Sequence, residues 1–204
     1  MNESCPDLTS LKFFNGDSLP DLTDQSKVLI ITFFSKLNKS DFPTLTVLND
    51  YLDKEGFKDK IQVLAISRDH AESDVEKFHG KYKDKHLAEI TGPKGEAGYT
   101  IKFNYPLGFD EGHKVNGEFK KLSKKAVVGV GMTFIVKEGK IRWFEYFVRG
   151  ANPMNQFEEQ LKNIIEGKEL ISNGKMPVVE EQELEDQGTV PVDAGPFEGL
   201  GDGY

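Results

Sequence analysis

Few residues in this chain could carry redox, metal or phosphate chemistry, and they are widely spaced. The single cysteine, Cys5, has no partner for an internal disulfide. It precedes Pro6 in a terminal segment, a poor place to activate a nucleophile. Cys5 therefore reads as an incidental thiol, able at most to form an intermolecular disulfide under oxidation. His70, His79, His86 and His113 include no pair at the sequence spacing of a metal site, and no carboxylate cluster accompanies them. They read as surface histidines. His70, beside Asp69, is the one placed near a strand end of the kind where α/β proteins bind ligands. Gly92-Pro-Lys-Gly-Glu-Ala-Gly98 has the glycines of a phosphate loop but not its Gly-Lys-Ser/Thr ending, so it reads as a loop. Asn38-Lys39-Ser40 matches a glycosylation sequon, which means little without a secretory signal. No cofactor and no metal-ligand set is expected.

The elements that would position any site are clearer than the site itself. Val28 to Phe34 is an unbroken apolar and β-branched run, the pattern of a strand buried on both faces of a sheet, and Ile61 to Ser67 repeats it. Between them Asp41 can cap a helix, Pro43 suits its first turn, and Leu45, Leu48, Tyr51 and Leu52 recur at helical spacing as far as Gly56. Val75, Phe78 and Tyr82 mark a second amphipathic helix, so the two strands should be parallel with right-handed crossovers. Leu8 to Phe14, closed by Asn15-Gly16, predicts an N-terminal hairpin or edge strand. His86 to Thr100 predicts a surface loop, because its glycines and Pro93 break any period. Tyr105 to Asp110 predicts a short strand, followed by a helix through Val115, Phe119 and Leu122. Met132 to Val136 and Ile141 to Phe147 predict a hairpin turning at Glu138-Gly139-Lys140, its aromatics Trp143, Phe144, Tyr146 and Phe147 alternating between the sheet's two sides and expected in the core. Asn152-Pro153 opens a last helix ending at Gly167. This order gives an α/β sandwich with a mixed sheet.

Charge separates the chain into two parts. The formal net charge is -8, and the eight acids Glu180, Glu181, Glu183, Glu185, Asp186, Asp193, Glu198 and Asp202 follow Lys175, the last basic residue. The body before them is formally neutral, which suits neither nucleic acid nor a phosphate surface. Lys120, Lys121, Lys124 and Lys125 read as one solvated helix face. Residues 1–175 are expected to form one domain, and 176–204 an extended acidic, glycine-rich tail. Val178, Val179, Val190, Val192, Phe197, Leu200 and Tyr204 punctuate that tail, as in an arm that docks on a protein partner or a neighbouring copy. No run suits a signal peptide or a membrane span, so a cytoplasmic protein is expected.

Three segments resemble the thioredoxin superfamily, within it the TlpA-like and peroxiredoxin-like redoxin branch, and span most of Asp7 to Gly167. They are the strand-turn-helix of Val28 to Leu45, the Tyr105-Pro-Leu-Gly-Phe-Asp110 segment, and Gly129-Val-Gly-Met-Thr-Phe-Ile-Val-Lys-Glu-Gly-Lys-Ile-Arg-Trp143. The last is similar to the family's Gly-Ile-Pro-x-x-Phe-Ile-Val-Asp-x-x-Gly-Lys-Ile-Val-Trp. The resemblance implies a three-layer α/β/α sandwich of thioredoxin type. It also implies where redox chemistry would sit. Counted back from Pro43, Ser35 and Asn38 stand where the family has its two cysteines, and Gly131 stands at its cis-proline. Counted forward from Phe34, the turn is about three residues short, and still holds no thiol. Disulfide exchange needs an attacking thiolate and a resolving thiol, which Ser and Asn do not supply. The resemblance thus implies a redox-inactive structural or adaptor subunit, like the degenerate thioredoxin-like proteins of protist microtubule assemblies. Cytoskeletal filaments or tubulin would be partners, and the former active-site surface and the tail the contact regions. The alternative is a thiol-dependent peroxidase or disulfide reductase using Cys5 with a partner's thiol.

Overall fold

The structure is a computed structural model that describes residues 3–14, 19–22, 24–37, 42–82, 86–87, 99–100, 104–123, 132–146 and 151–171. The strands are β1 (Lys12–Phe13), β2 (Val28–Phe34), β3 (Ile61–Ser67), β4 (His86–Leu87), β5 (Tyr99–Thr100), β6 (Leu107–Phe109), β7 (Met132–Lys137) and β8 (Lys140–Tyr146). The helices are α1 (Phe42–Asp53), α2 (Glu72–Tyr82), α3 (Lys114–Ser123) and α4 (Ala151–Glu166). Six strands form one mixed sheet in the order β1-β6-β3-β2-β7-β8. β2 and β3, the two β-branched runs, are parallel and central, and every residue of β2 is buried. β6 continues the parallel set beside β3, whereas β7 pairs antiparallel with β2 and β8 with β7.

Helices cover both faces. Leu45, Leu48 and Tyr51 of α1, Phe78 of α2 and Phe157, Leu161 and Ile164 of α4 pack with Ile30, Val63 and Trp143 on one face. On the other, Val115 and Phe119 of α3 pack with Leu29, Phe33, Phe134 and Phe144. There the rings of Phe33, Phe119 and Phe134 lie 4.5 to 6.0 Å apart centre to centre, contacts worth about 0.5–1.5 kcal/mol each beyond the area they bury. A register shift in β8 between its pairings with Ile135 and Val136 leaves Arg142 unopposed. That bulge lets Ile141 and Phe144 enter one core while Trp143 enters the other.

The N-terminal segment behaves as a strap. Glu3 to Cys5 lies along the start of β8, with the Cys5 N–H donating to Gly139 O at 2.8 Å and the Ile141 N–H to Glu3 O at 2.8 Å. Leu8 and Leu11 then bury in the α3-side core, and β1 pairs antiparallel with β6. Leu11 comes so close to Gly108 that a β-carbon there would meet its Cδ1 at 3.3 Å. The hairpin between β7 and β8 turns on Glu138 (φ 55) and Gly139 (φ 68), two consecutive left-handed residues as a two-residue turn requires. α4 stops at Gly167 (φ 70), where the Lys168 N–H reaches Asn163 O at 2.8 Å. Lys137 of β7 also donates through Nζ to Ile164 O (2.9 Å) and Ile165 O (3.2 Å), placing a cation at the negative helix end.

Most expected elements are present, with one correction. The stretch 86–100 is not simply a loop, because β4 and β5 pair antiparallel at its two ends. Strands of two residues are too short to show a period among glycines. The N-terminal edge strand is β1, while Asn15-Gly16 lies outside the described residues. Trp143 and Phe144 are buried as expected, and Lys120 and Lys121 are exposed on α3. Asn38, Asp41, Gly92 to Gly98, Lys124, Lys125, Gly131 and the tail after Ile171 lie outside the described residues.

Candidate functional site

Register brings three parallel strands to a level finish. Phe34 of β2 pairs with Ser67 of β3, and Ser67 pairs with Phe109 of β6. The residues that follow, Ser35, Arg68-Asp69-His70 and Asp110 to His113, are therefore side by side at the carboxyl end of the sheet, where open α/β sheets hold their ligands.

Asp69 organises the first half of this row. It is 5% exposed. Ser35 Oγ donates to its Oδ1 at 2.9 Å, and Ser67 Oγ (2.8 Å) and the Lys36 N–H (3.1 Å) donate to its Oδ2. Its own N–H donates to Ser67 Oγ at 3.0 Å. Neutral donors thus hold the carboxylate, since Lys36 pairs with Asp74 and, among the described residues, no cation pairs with Asp69. Ser35 Oγ also accepts the Leu37 N–H at 3.3 Å. With its hydroxyl donating to Asp69 and accepting from the Leu37 N–H, Ser35 ties the β2–α1 turn to the end of β3.

Asp110 does the same for the second half. It is 1% exposed, and its carboxylate accepts the N–H groups of Val115 (3.0 Å) and Asn116 (2.8 Å) at the start of α3. Its carbonyl accepts the His113 N–H at 3.0 Å. Gly112 (φ 66) and His113 (φ 56) are both left-handed, and the turn they make brings the His113 ring to His70. His113 Nε2 lies 3.3 Å from His70 Nδ1. Histidines read from sequence as scattered are a contacting pair in the fold, which corrects that expectation for His70 and His113. The sequence spacing hid it, because the contact depends on β3 and β6 being neighbours. Asp69 and Asp110 were equally missed as anchors. Aspartate ahead of the α3 apolar face was the one available signal.

Cys5 is elsewhere. It sits beside Gly139, at the end of the sheet where β2 begins, and Val28 there pairs with Lys137. Ser35 lies at the opposite end of β2. The Cys5 thiol packs against the α3-side core, and burial pushes its pKa up to about 12. Of the positions expected to be degenerate, Ser35 directly follows β2, and Asn38 and Gly131 are outside the described residues. Among the described residues no helix is long and apolar enough to cross a membrane.

No protein-family model matches the chain, and no curated protein matches it. Solved structures do resemble it. A thioredoxin-like protein in its oxidised form is 19% identical, covering 82% of this chain and 98% of its own at a TM-score of 0.51. A protein assigned as the thiol:disulfide interchange protein DsbE of Chlorobium tepidum is 17% identical over 80% of this chain and 96% of its own, at 0.50. A thioredoxin-like superfamily protein is 15% identical over 78% and 96%, at 0.53. Identities this low establish the fold alone: the chain is an α/β protein of thioredoxin-like fold. With one cysteine in its whole length it has no Cys-x-x-Cys motif, which argues against the redox function usual for that motif.

Proposed function

We propose that this protein does no disulfide exchange and works as a structural or adaptor subunit. On this reading it binds protein partners through the surface around Ser35 and through the residues after Lys175. The observation that carries it is the state of the two relevant side chains. Ser35, which the resemblance sets at a cysteine position, is tied to Asp69, and Cys5 is desolvated at the far end of the sheet. Two exposed apolar residues support the contact surfaces. Among the described residues the large hydrophobic side chains left exposed are Leu37 (81%) and Ile171 (46%). The first stands on the Ser35 turn and the second where the described chain runs into the tail. Taken with the resemblance to protist microtubule-associated members, cytoplasmic filaments or tubulin are the first partners to test.

Two assays address the two parts. Thiol-dependent peroxide consumption and insulin reduction are measured for the wild type and Cys5→Ser, and both proteins should match a no-protein control. Turnover that disappears in Cys5→Ser would establish the redoxin alternative. Co-sedimentation with stabilised microtubules is measured for the full chain and a chain ending at Lys175. The full chain should enter the pellet more than the shorter one, and a full chain that stays in the supernatant removes tubulin from the reading.

A further inference from the structure

We infer that His70 and His113 form a bidentate site for a tetrahedral divalent metal ion, Zn2+. The inference is independent of the adaptor reading and rests on the geometry of the two rings. A tetrahedral ion with metal–nitrogen bonds of about 2.0–2.1 Å holds neighbouring imidazole nitrogens about 3.3–3.4 Å apart. His113 Nε2 and His70 Nδ1 are 3.3 Å apart. The ring centres agree with that geometry, as they also would with an off-axis hydrogen bond between the two nitrogens. If both lone pairs converge on one ion, the ring centres fall about 5.2 Å apart, against about 5.6 Å for rings aimed straight at each other. The centres are 5.1 Å apart, with the planes at 76°.

The site is held before any ion arrives. His70 directly follows Asp69, whose carboxylate is fixed by Ser35, Ser67 and Lys36. His113 follows Asp110, which clamps α3, and keeps a left-handed backbone that histidine tolerates better than most residues. His70 is exposed, so the ion has an entry path. Glu72 and Glu111 lie close in sequence, and Lys12 feels both carboxylates while pairing with Glu72.

Coordination requires both facing nitrogens to be unprotonated, leaving the ring protons on His70 Nε2 and His113 Nδ1 with no net proton change from the neutral pair. His113 Nδ1 is buried and has no hydrogen-bond partner among the described residues. The carboxylate or carbonyl that normally orients a ligating histidine is missing there, which weakens the site. Among the described residues no group of three or more His, Cys, Asp or Glu side chains completes a cage. The remaining coordination positions are thus left to water or an outside donor. Raw affinity at a given set of nitrogens follows the Irving–Williams order, which puts Cu2+ above Zn2+, so both ions are titrated.

The test is titration calorimetry of the tag-free full chain with ZnCl2 and, separately, CuCl2, for the wild type, His70→Ala and His113→Asn. Asparagine keeps the left-handed backbone at position 113 accessible, and circular dichroism checks that each variant is folded. The expected result is one ion per chain, with each variant weakening binding by at least about tenfold. Three results overturn the inference: no saturable binding by the wild type, binding unchanged in the variants, or loss in one variant alone.

Discussion

Replacing Asp69 tests whether the Ser35 turn is a structural fastener. In Asp69→Ala three donors lose their acceptor: Ser35 Oγ, Ser67 Oγ and the Lys36 N–H. They do not lose equally. Ser67 is fully buried, so its hydroxyl finds no water and costs about 1–3 kcal/mol. Ser35 and Lys36 are half-buried and recover part of their hydrogen bonding from solvent, so together they add about 1 kcal/mol. Removing a buried charge returns some of its desolvation cost. The net expectation is a loss of about 2–3 kcal/mol for Asp69→Ala. Asp69→Asn should lose about half of that, because its amide oxygen still accepts while its NH2 faces a donor. Urea unfolding followed by far-UV circular dichroism reads both as a lower midpoint at unchanged slope. An alanine variant within about 0.5 kcal/mol of wild type, or an asparagine variant less stable than the alanine one, would refute the fastener role.

Other consequences are as direct. Asp110→Ala frees the N–H groups of Val115 and Asn116 and should cost about 1–2 kcal/mol, the value of a helix cap, in the same unfolding experiment. The Cys5 thiol, moved from 9.0 to about 12, should have about a thousandfold fewer thiolates near pH 8 than an ordinary cysteine. Its alkylation by iodoacetamide should be correspondingly slow in the native protein and rapid in urea, and native and unfolded rates within tenfold of each other would contradict its burial. The native state holds that proton more tightly than the unfolded chain. Its stabilising effect is therefore complete below pH 9 and is lost as pH rises from about 9 towards 12. An alkaline unfolding curve of Cys5→Ser should be flatter over that range than the wild type's.

The sheet was readable in the sequence because its central strands are β-branched runs buried on both faces, and burial of that kind leaves an unbroken apolar pattern. β2 and β3 match Val28–Phe34 and Ile61–Ser67 residue for residue. β4 and β5 were not readable, since two residues carry no period. The candidate site divides in the same way. Ser35 could be placed in the fold because it follows a legible strand. The meeting of His70 and His113 depends on which strands neighbour each other, on a register that levels Ser67 with Phe109, and on two left-handed residues in succession. None of these is a local property of the residues involved. Asp69 was not readable because two of its donors, Ser35 and the Lys36 N–H, come from another segment, whereas Asp110 accepts from nearby Val115 and Asn116 and left a trace as an aspartate ahead of a helix.

The N-terminal strap has a further consequence for self-association. A sheet order of β1-β6-β3-β2-β7-β8 leaves two borders at which a foreign strand could add. The same short run of chain reaches both, with Glu3 to Cys5 along the start of β8 and Lys12–Phe13 along β6. Displacing it would expose β6 and the start of β8 together and bare Leu8 and Leu11, leaving strand edges of the kind that pair with other chains. Among the described residues, one run of eleven, Glu3 to Phe13, thus touches both borders of the sheet.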